Sequence, residues 1–200
     1  MEKVRHLIVS PHIDDEVLGA FTFLTPETFV LYLGVESRPS VSAEQRKQEL
    51  SQVANTLGFR YDVLDFEVNH YQTNQLITPI EAYINRLKPD FLLIPWKSYN
   101  QDHRATFDAA FCAARPHDLN FFVKNILAYE QPQTILWPHE PFSGVYFKEL
   151  DLEKKLHAYQ LYASQVRGHR SPEILKTMAE LRGKQSNYRY AESFQPLRMC

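Results

Sequence analysis

FLLIPW, at residues 91–96, is a continuous apolar run between two segments with helical spacing, 78–87 and 103–115. A run of this kind is typical of a strand that is buried on both faces of a parallel sheet. Further out along the chain, TFVLYLGV (28–35) has the same character, and the short β-branched run RHLIVS (5–10) predicts the first strand. This alternation of strands and helices predicts an α/β fold with a mostly parallel sheet and flanking helices.

The remaining elements complete a single Rossmann-like domain over residues 1–200. Further strands are predicted at 61–66 and 125–129, and a helix at 40–57 has Ser42 as its cap and Gly58 as its stop. The pattern changes after residue 130, where a Pro-rich aromatic stretch predicts two short strands, followed by helices at 151–165 and 172–182. We expect the residues from about 131 onward to form a C-terminal extension that packs on the sheet.

Composition excludes several classes of protein. The 200 residues carry a net charge of -2, which gives no electrostatic basis for binding nucleic acid. Cys112 and Cys200 are too few for a structural thiolate zinc site. The amino terminus enters a strand without a signal-peptide pattern, and no apolar run approaches the ~18 residues needed to span a bilayer. We therefore expect a cytoplasmic, soluble protein with no membrane span. The sequence does not decide whether the protein is a monomer or an oligomer.

The segment SPHIDDE, residues 10–16, places one histidine and three carboxylates directly after the first predicted strand. One interpretation is a solvated turn in which Asp14 and Asp15 cap the next helix. The other is that a divalent cation compensates the carboxylates, because burying several unpaired charges costs several kcal/mol each.

A second cluster favours the cation. NQDHR, at 100–104, follows FLLIPW just as SPHIDDE follows RHLIVS. The carboxyl ends of parallel strands meet at one edge of a sheet, where ligand sites collect. His103 would complete a set of two imidazoles and one carboxylate with His12 and Asp15, which suits Zn²⁺ with an open position. Ferrous iron is also compatible.

These segments together resemble a known family. PHIDDE (11–16), NQDH (100–103) and RKQELSQVANTLGF (46–59) are similar, in this order, to motifs of the PIG-L/LmbE-like zinc-dependent N-acetylglucosaminyl deacetylases. AYEQPQT (128–134) and YAESF (190–194) resemble the sugar-modifying branch of that family. The resemblance implies an LmbE-like fold, in which metal-activated water hydrolyses an N-acetyl group on an amino sugar or sugar conjugate.

The resemblance also implies roles for individual residues. His12, Asp15 and His103 would bind the metal, Asp14 would be the general base, and Asp102 would orient a neighbouring histidine. Glu16 is an alternative for that orienting task. Arg46 matches a helix arginine that can face the substrate, although a pair with Glu49 or Glu44 is the simpler interpretation. Glu130 follows a predicted strand end and is a second candidate for substrate contact.

Two positions depart from the family pattern. Ile13 replaces the usual Pro, which removes no functional group. Asn100 stands where the family has a histidine that assists the tetrahedral intermediate. An Asn amide can donate a hydrogen bond to an oxyanion, but it cannot transfer a proton, so Tyr99 becomes a candidate acid. His139 is a candidate donor from a loop, whereas the histidines without ligand spacing are predicted to be structural or exposed: His6, His70, His117, His157 and His169.

Three alternatives to sugar deacetylation stay open. The chain could be a de-N-acylase for an amide that is not a sugar. It could be a pseudoenzyme that binds metal or sugar, because Asn100 replaces the usual histidine. A Rossmann nucleotide-binding protein is disfavoured, since no G-x-G-x-x-G follows the first strand.

Overall fold

The computed structural model describes residues 3–116 and 118–200. Within these ranges the chain forms a seven-stranded sheet, made of β1 (His6–Ser10), β2 (Thr28–Tyr32), β3 (Arg60–Val63), β4 (Phe91–Pro95), β5 (Asn125–Tyr129), β6 (Tyr146–Glu149) and β7 (Ala191–Arg198). The α-helices are α1 (Asp15–Gly19), α2 (Ala43–Leu57), α3 (Thr73–Leu87), α4 (Gln101–Ala113), α5 (Pro132–Leu136), α6 (Leu152–Gln160) and α7 (Pro172–Ser186). The strand order is β3-β2-β1-β4-β5-β7-β6.

The first five strands are parallel to one another, and β7 runs antiparallel to them beside β5. β6 pairs antiparallel with β7, so it runs in the same direction as the first five strands. The predicted mostly parallel α/β sheet is therefore confirmed. β1 lies inside the sheet, where it pairs on one side with β2 and on the other with the central strand β4. Because β1 and β4 are neighbours, the loops that follow them leave the sheet side by side.

Hydrophobic cores cover both faces of the sheet. On one face Ile8 of β1 packs in the same core as Leu50 of α2. On the other face Leu7 packs in the same core as Ile80 of α3. Burial on both faces explains why β2 and β4 are apolar runs and not alternating patterns.

The ends of α2 agree with the sequence. The side chain of Ser42 accepts a hydrogen bond from the backbone N–H of Gln45, and Gly58 ends the helix in the left-handed region with φ of 80°. A residue with a Cβ adopts this conformation at a cost, whereas glycine does so freely.

The start of α3 differs from the prediction. The helix begins at Thr73, not at Thr78, and it contains Pro79. Proline removes one backbone hydrogen bond inside a helix. The earlier start adds Leu76 to the buried stripe of Ile80 and Ile84, and the burial of that leucine offsets the lost bond.

The C-terminal part also differs. The Pro-rich stretch after residue 130 contains α5 and one strand, β6, instead of two strands. The eight-residue strand β7 has no counterpart in the prediction. β7 contains Pro196, which normally argues against a strand inside a sheet. β6 pairs only with Ala191–Phe194, so Pro196 lies beyond that pairing, and the residues after 131 extend the sheet itself.

Within the described part of the chain, no helix is both long enough and apolar enough to cross a membrane.

His6, at the start of β1, makes the fold sensitive to acid. Its Nδ1 lies 3.1 Å from the hydroxyl of Thr28, and burial, assisted by the charges of Lys148 and Arg5, lowers the pKa of His6 from 6.5 to about 4. Between these pH values the unfolded chain binds a proton that the folded chain does not. The free energy of unfolding therefore falls as the pH decreases from 6.5 to 4.

We expect His6→Asn to reduce this loss, since an amide keeps a polar group beside Thr28 without titrating. Urea denaturation at several pH values measures the effect, with His157→Asn on the exposed surface as the control. Equal losses of stability in the wild type and in the His6→Asn variant would contradict this assignment.

Candidate metal centre

His12, Asp15 and His103 meet at the carboxyl ends of β1 and β4. Asp15 Oδ2 lies 3.2 Å from His12 Nδ1 and 3.4 Å from His103 Nε2. One ligand atom from each of the three residues lies within 4.8 Å of the others. The two clusters SPHIDDE (10–16) and NQDHR (100–104) thus meet at the carboxyl ends of the parallel strands, as the sequence predicts.

The chemistry of these three residues fits a divalent cation. Burial lowers the pKa of His103 to about 4, although the charge of Asp15 opposes this shift, so the ring is neutral and a nitrogen lone pair is free to bind metal. His103 Nδ1 is buried and has no hydrogen-bond partner among the described residues. Two imidazoles and a carboxylate with room for a further ligand form a typical catalytic zinc set.

Other side chains fix the orientation of this set. Asp102 Oδ2 lies 3.0 Å from His12 Nε2 and accepts a hydrogen bond from the backbone N–H of Asn69 at 2.7 Å. Gln131 Nε2 donates to Asp15 Oδ1 at 2.7 Å. Burial alone would lower the pKa of His12, but hydrogen bonds with Asp102 and Asp15 raise it to about 10. A cation would therefore displace a proton from this ring.

Asp14 is buried beside the set and held in an unusual backbone conformation. Its φ is 115°, in the left-handed region, and the residue is 1% exposed. Burial raises the pKa of Asp14 to about 6, while the Arg170 guanidinium, 3.1 Å away, acts in the opposite direction. Strained backbone of this kind collects at functional sites, and a carboxyl with a pKa near neutrality is suited to proton transfer.

The interpretation of residues 14–16 as a solvated turn is wrong, because Asp14, Asp15 and Glu16 are all buried. Glu16 contacts neither imidazole. Its carboxylate accepts hydrogen bonds from Tyr162 Oη at 2.7 Å and from the backbone N–H of Asp14 at 3.1 Å. Of the two candidates for orienting a histidine, Asp102 is the one that lies against the ring.

Asn100 caps α4. Its Oδ1 accepts a hydrogen bond from the backbone N–H of Asp102 at 2.8 Å, and the residue also lines the cavity above the three predicted ligands. This cavity has a volume of about 190 Å³. Its described lining comprises His12, Asp14, Asp15, Glu36, Val68, Asn69, Tyr99, Asn100, His103, Gln133, Gln165, Arg167, His169 and Arg170.

Arg46 and Glu130, the positions predicted for substrate contact, are not in that lining. Arg46 is 1% exposed; it pairs with Glu49 at 2.9 Å and donates to the backbone carbonyl of Ile13. Glu130 pairs with Arg182 and accepts a hydrogen bond from Ser193 at 3.0 Å in a separate small cavity. Both side chains are buried in internal ion pairs, so here they support the scaffold.

Residues 30–114 match the PIG-L family, described as GlcNAc-PI de-N-acetylase. The resemblance seen in the sequence is confirmed. The PIG-L match includes Asn100, Asp102 and His103, and it begins after the segment that holds His12 and Asp15. Comparison with curated proteins gives no match.

Solved structures share the whole fold at low sequence identity. The conserved protein TT1542 from Thermus thermophilus has a TM-score of 0.78 and 22% identity, over 98% of this chain and 96% of that one. GalB, the 4-carboxy-2-hydroxymuconate hydratase from Pseudomonas putida KT2440, has a TM-score of 0.77 and 21% identity, over 96% of both chains. N,N'-diacetylchitobiose deacetylase from Pyrococcus horikoshii has a TM-score of 0.75 and 20% identity, over 98% of this chain and 84% of that one.

The C-terminal half supplies site residues that the PIG-L motifs in the sequence did not indicate. Arg170 contacts Asp14, and Gln165, Arg167 and His169 line the cavity. His169 was predicted to be structural or exposed, whereas His139, the predicted loop donor, lies in an exposed groove with Tyr99 and Trp137. Ala163–Gln165 and Gly168–Arg170 form two short 3-10 turns with no hydrophobic period. YASQ (162–165) resembles a family segment, but no physical argument from the sequence gives Gln165, Arg167 or Arg170 a role. His117 lies outside the described residues.

Proposed function

We propose that this chain is a metal-dependent hydrolase that removes an N-acetyl group from an amino sugar or sugar conjugate. The observation that carries the proposal is the convergence of His12, Asp15 and His103 beside the buried carboxyl of Asp14. The family match, whose description names a de-N-acetylase, supports the reaction class. We further propose a single domain over residues 1–200 and a cytoplasmic location.

Zinc or ferrous iron held by His12, Asp15 and His103 would polarise the amide carbonyl and lower the pKa of an attacking water. Asp14 accepts a proton from that water as the water oxygen adds to the carbonyl carbon. When the carbon–nitrogen bond breaks, Asp14 returns the proton to the leaving amine, which yields acetate and a free amino group. Arg170 holds the Asp14 carboxylate in place throughout.

Asn100 takes the position of an oxyanion donor. Its Oδ1 is bound to the backbone of α4, so the Nδ2 group is the one free to donate a hydrogen bond into the cavity. An amide donor of this kind stabilises the negative charge that develops on the carbonyl oxygen.

Aromatic side chains at the mouth of the cavity support a sugar substrate. Tyr99 and Trp137 are about half exposed, with ring centroids 6.0 Å apart, and Trp137 lies 5.6 Å from the ring of His169. Tyr99 and His169 also line the cavity of the metal centre. Exposed rings beside a polar cavity offer an apolar face and a polar edge, which suits the mixed surface of a pyranose.

Acetate release from a small panel of compounds tests the proposal. The zinc-loaded protein would be assayed with N-acetylglucosamine, N,N'-diacetylchitobiose and N-acetylated amino acids. Acetate from the sugars alone supports the proposal. Acetate from the amino acids alone would favour a de-N-acylase for amides that are not sugars.

The pseudoenzyme alternative is tested by Asn100→His. If the wild type is inactive on the whole panel and this variant gains activity, the site has lost catalysis in this chain. A working wild type excludes the alternative.

We expect Asn100→Asp and Asn100→Ser to lower kcat by about 10²–10³-fold, the range for the loss of one oxyanion donor. Both replacements keep a side-chain oxygen that can cap α4, so the fold is retained. Asn55→Asp, at an exposed position on α2 outside the cavity, is the matched control. Acetate-release kinetics measure the effect, and circular dichroism checks the fold of each variant. Full activity in both variants would contradict the assignment of Asn100 as an oxyanion donor.

A further inference from the structure

Three arginine side chains converge on one neutral atom at the wall of the cavity. The side-chain oxygen of Gln165 lies 2.8 Å from Arg170 Nη2, 3.2 Å from Arg38 Nη2 and 3.5 Å from Arg167 Nη2. Gln165 is itself buried. An amide oxygen has two lone pairs, so it cannot satisfy three guanidinium donors at once.

The charges in this arginine cluster (Arg38, Arg167 and Arg170) are only partly compensated. Arg38 pairs with Glu36 at 3.0 Å, and Arg170 pairs with Asp14 at 3.1 Å. Arg167 has no carboxylate within ion-pair distance among the described residues. Burial lowers the pKa of Arg167, and the positive charges of Arg170 and Arg38 lower it further, while the more distant carboxylates of Glu36 and Asp14 act in the opposite direction. Direct ion pairs therefore compensate two of the three guanidinium groups, and Arg167 is the one without a carboxylate in direct contact among the described residues.

Arg167 faces the place where a substrate would lie. Arg167 and Arg170 line the cavity of the metal centre, and Arg38 lines a larger neighbouring cavity of about 720 Å³. The two cavities share Glu36, Val68 and Asn69 in their linings. The arginine cluster therefore lies at the junction between the metal centre and the space open to the rest of the substrate.

We propose that Arg167, positioned by Gln165, binds an anionic group of the substrate, either a phosphate or a carboxylate, beyond the N-acetyl group. The inference rests on the proposed function and narrows its substrate class to acidic derivatives of an amino sugar. A guanidinium presents parallel N–H groups to the two oxygens of either anion, which makes arginine well suited to this task.

Three N-acetylated sugars test the inference, with Arg167→Gln as the variant. N-Acetylglucosamine 1-phosphate and a glucosaminide with a carboxylate in its aglycone form the two anionic arms, and the methyl glycoside is the uncharged arm. Arg167→Gln removes the free cation and leaves the pair of Arg170 with Asp14 in place. Arg5→Gln is the matched control: it removes one charge just before β1, at the amino-terminal ends of the strands and away from the cavity.

We expect Arg167→Gln to lower kcat/KM by about 10- to 100-fold for one anionic arm and by less than about 2-fold for the methyl glycoside. The arm that responds identifies phosphate or carboxylate as the recognised group. Equal losses on all three compounds, or a wild type with no preference for either anionic arm, would overturn the inference.

Binding to the metal-free protein separates this inference from the proposed function. Calorimetry with glucosamine 1-phosphate and with the corresponding carboxylate product measures affinity without turnover. If no compound releases acetate, yet an anionic product binds the wild type and binds Arg167→Gln at least 10-fold more weakly, the anion site stands and the deacetylase assignment fails. If the methyl glycoside is hydrolysed and neither product binding nor kcat/KM depends on Arg167, the deacetylase assignment stands and the anion site fails.

Discussion

His103→Ala should abolish tight zinc binding and hydrolysis together. The change leaves one imidazole and one carboxylate at the centre, which is too few protein ligands for a typical catalytic zinc site. We expect the affinity for zinc to fall by more than about 10²-fold, beyond the range for losing a residue outside the ligand set. The zinc content after dialysis and the acetate-release rate measure the two effects.

His157→Ala is the matched control, because His157 is an exposed histidine on α6. It should keep the zinc content and the rate of the wild type. A His103→Ala protein that retains one zinc per chain would show that His103 is not a ligand.

Asp14→Asn should leave the metal in place and suppress turnover by about 10²–10⁴-fold, the range for losing general acid–base assistance. An amide can occupy the same space and still accept a hydrogen bond from Arg170, but it cannot take a proton from water. Asparagine also tolerates the left-handed backbone that Asp14 adopts, so the loop should keep its shape. Zinc content and kcat of the purified variant are the measurements.

The adjacent carboxylates make this result decisive. If Asp14→Asn loses zinc while Asp15→Asn retains it, the roles of the two residues are reversed. Asp118→Asn, at an exposed position, controls for the loss of one negative charge.

Most of the parallel sheet could be predicted because its strands are buried on both faces. FLLIPW is apolar throughout and RHLIVS has the apolar core Leu7–Val9. The rule that ligand sites collect at the carboxyl ends of strands predicts that the segments after these two strands meet. The same rule predicted that His12 and His103 lie together. Short-range patterns are sufficient here, because each predicted ligand lies no more than eight residues after the strand that precedes it.

The remaining part of the site depends on contacts that no local pattern encodes. Arg170 approaches Asp14 from a segment far along the chain, and that segment has no hydrophobic period. β7 joins the sheet next to β5 although it contains Pro196. These residues are placed by the packing of the C-terminal half against the sheet.

The contacts of Arg46 could not be predicted from local sequence patterns either. Its helix position agreed with the family motif, but its partners are the carbonyl of Ile13 and the carboxylate of Glu49. Arg46 thereby holds the backbone between His12 and Asp14 in place. The sequence of α2 alone does not reveal this contact between distant parts of the chain.

X-ray absorption spectroscopy at the zinc edge, combined with the crystal structure of the zinc-loaded protein, tests the central claim most directly. We predict one zinc ion bound by a nitrogen of His12, a nitrogen of His103 and an oxygen of Asp15, each at about 2.0–2.2 Å. An ion bound elsewhere in the chain, with both imidazoles free of metal, would contradict that claim.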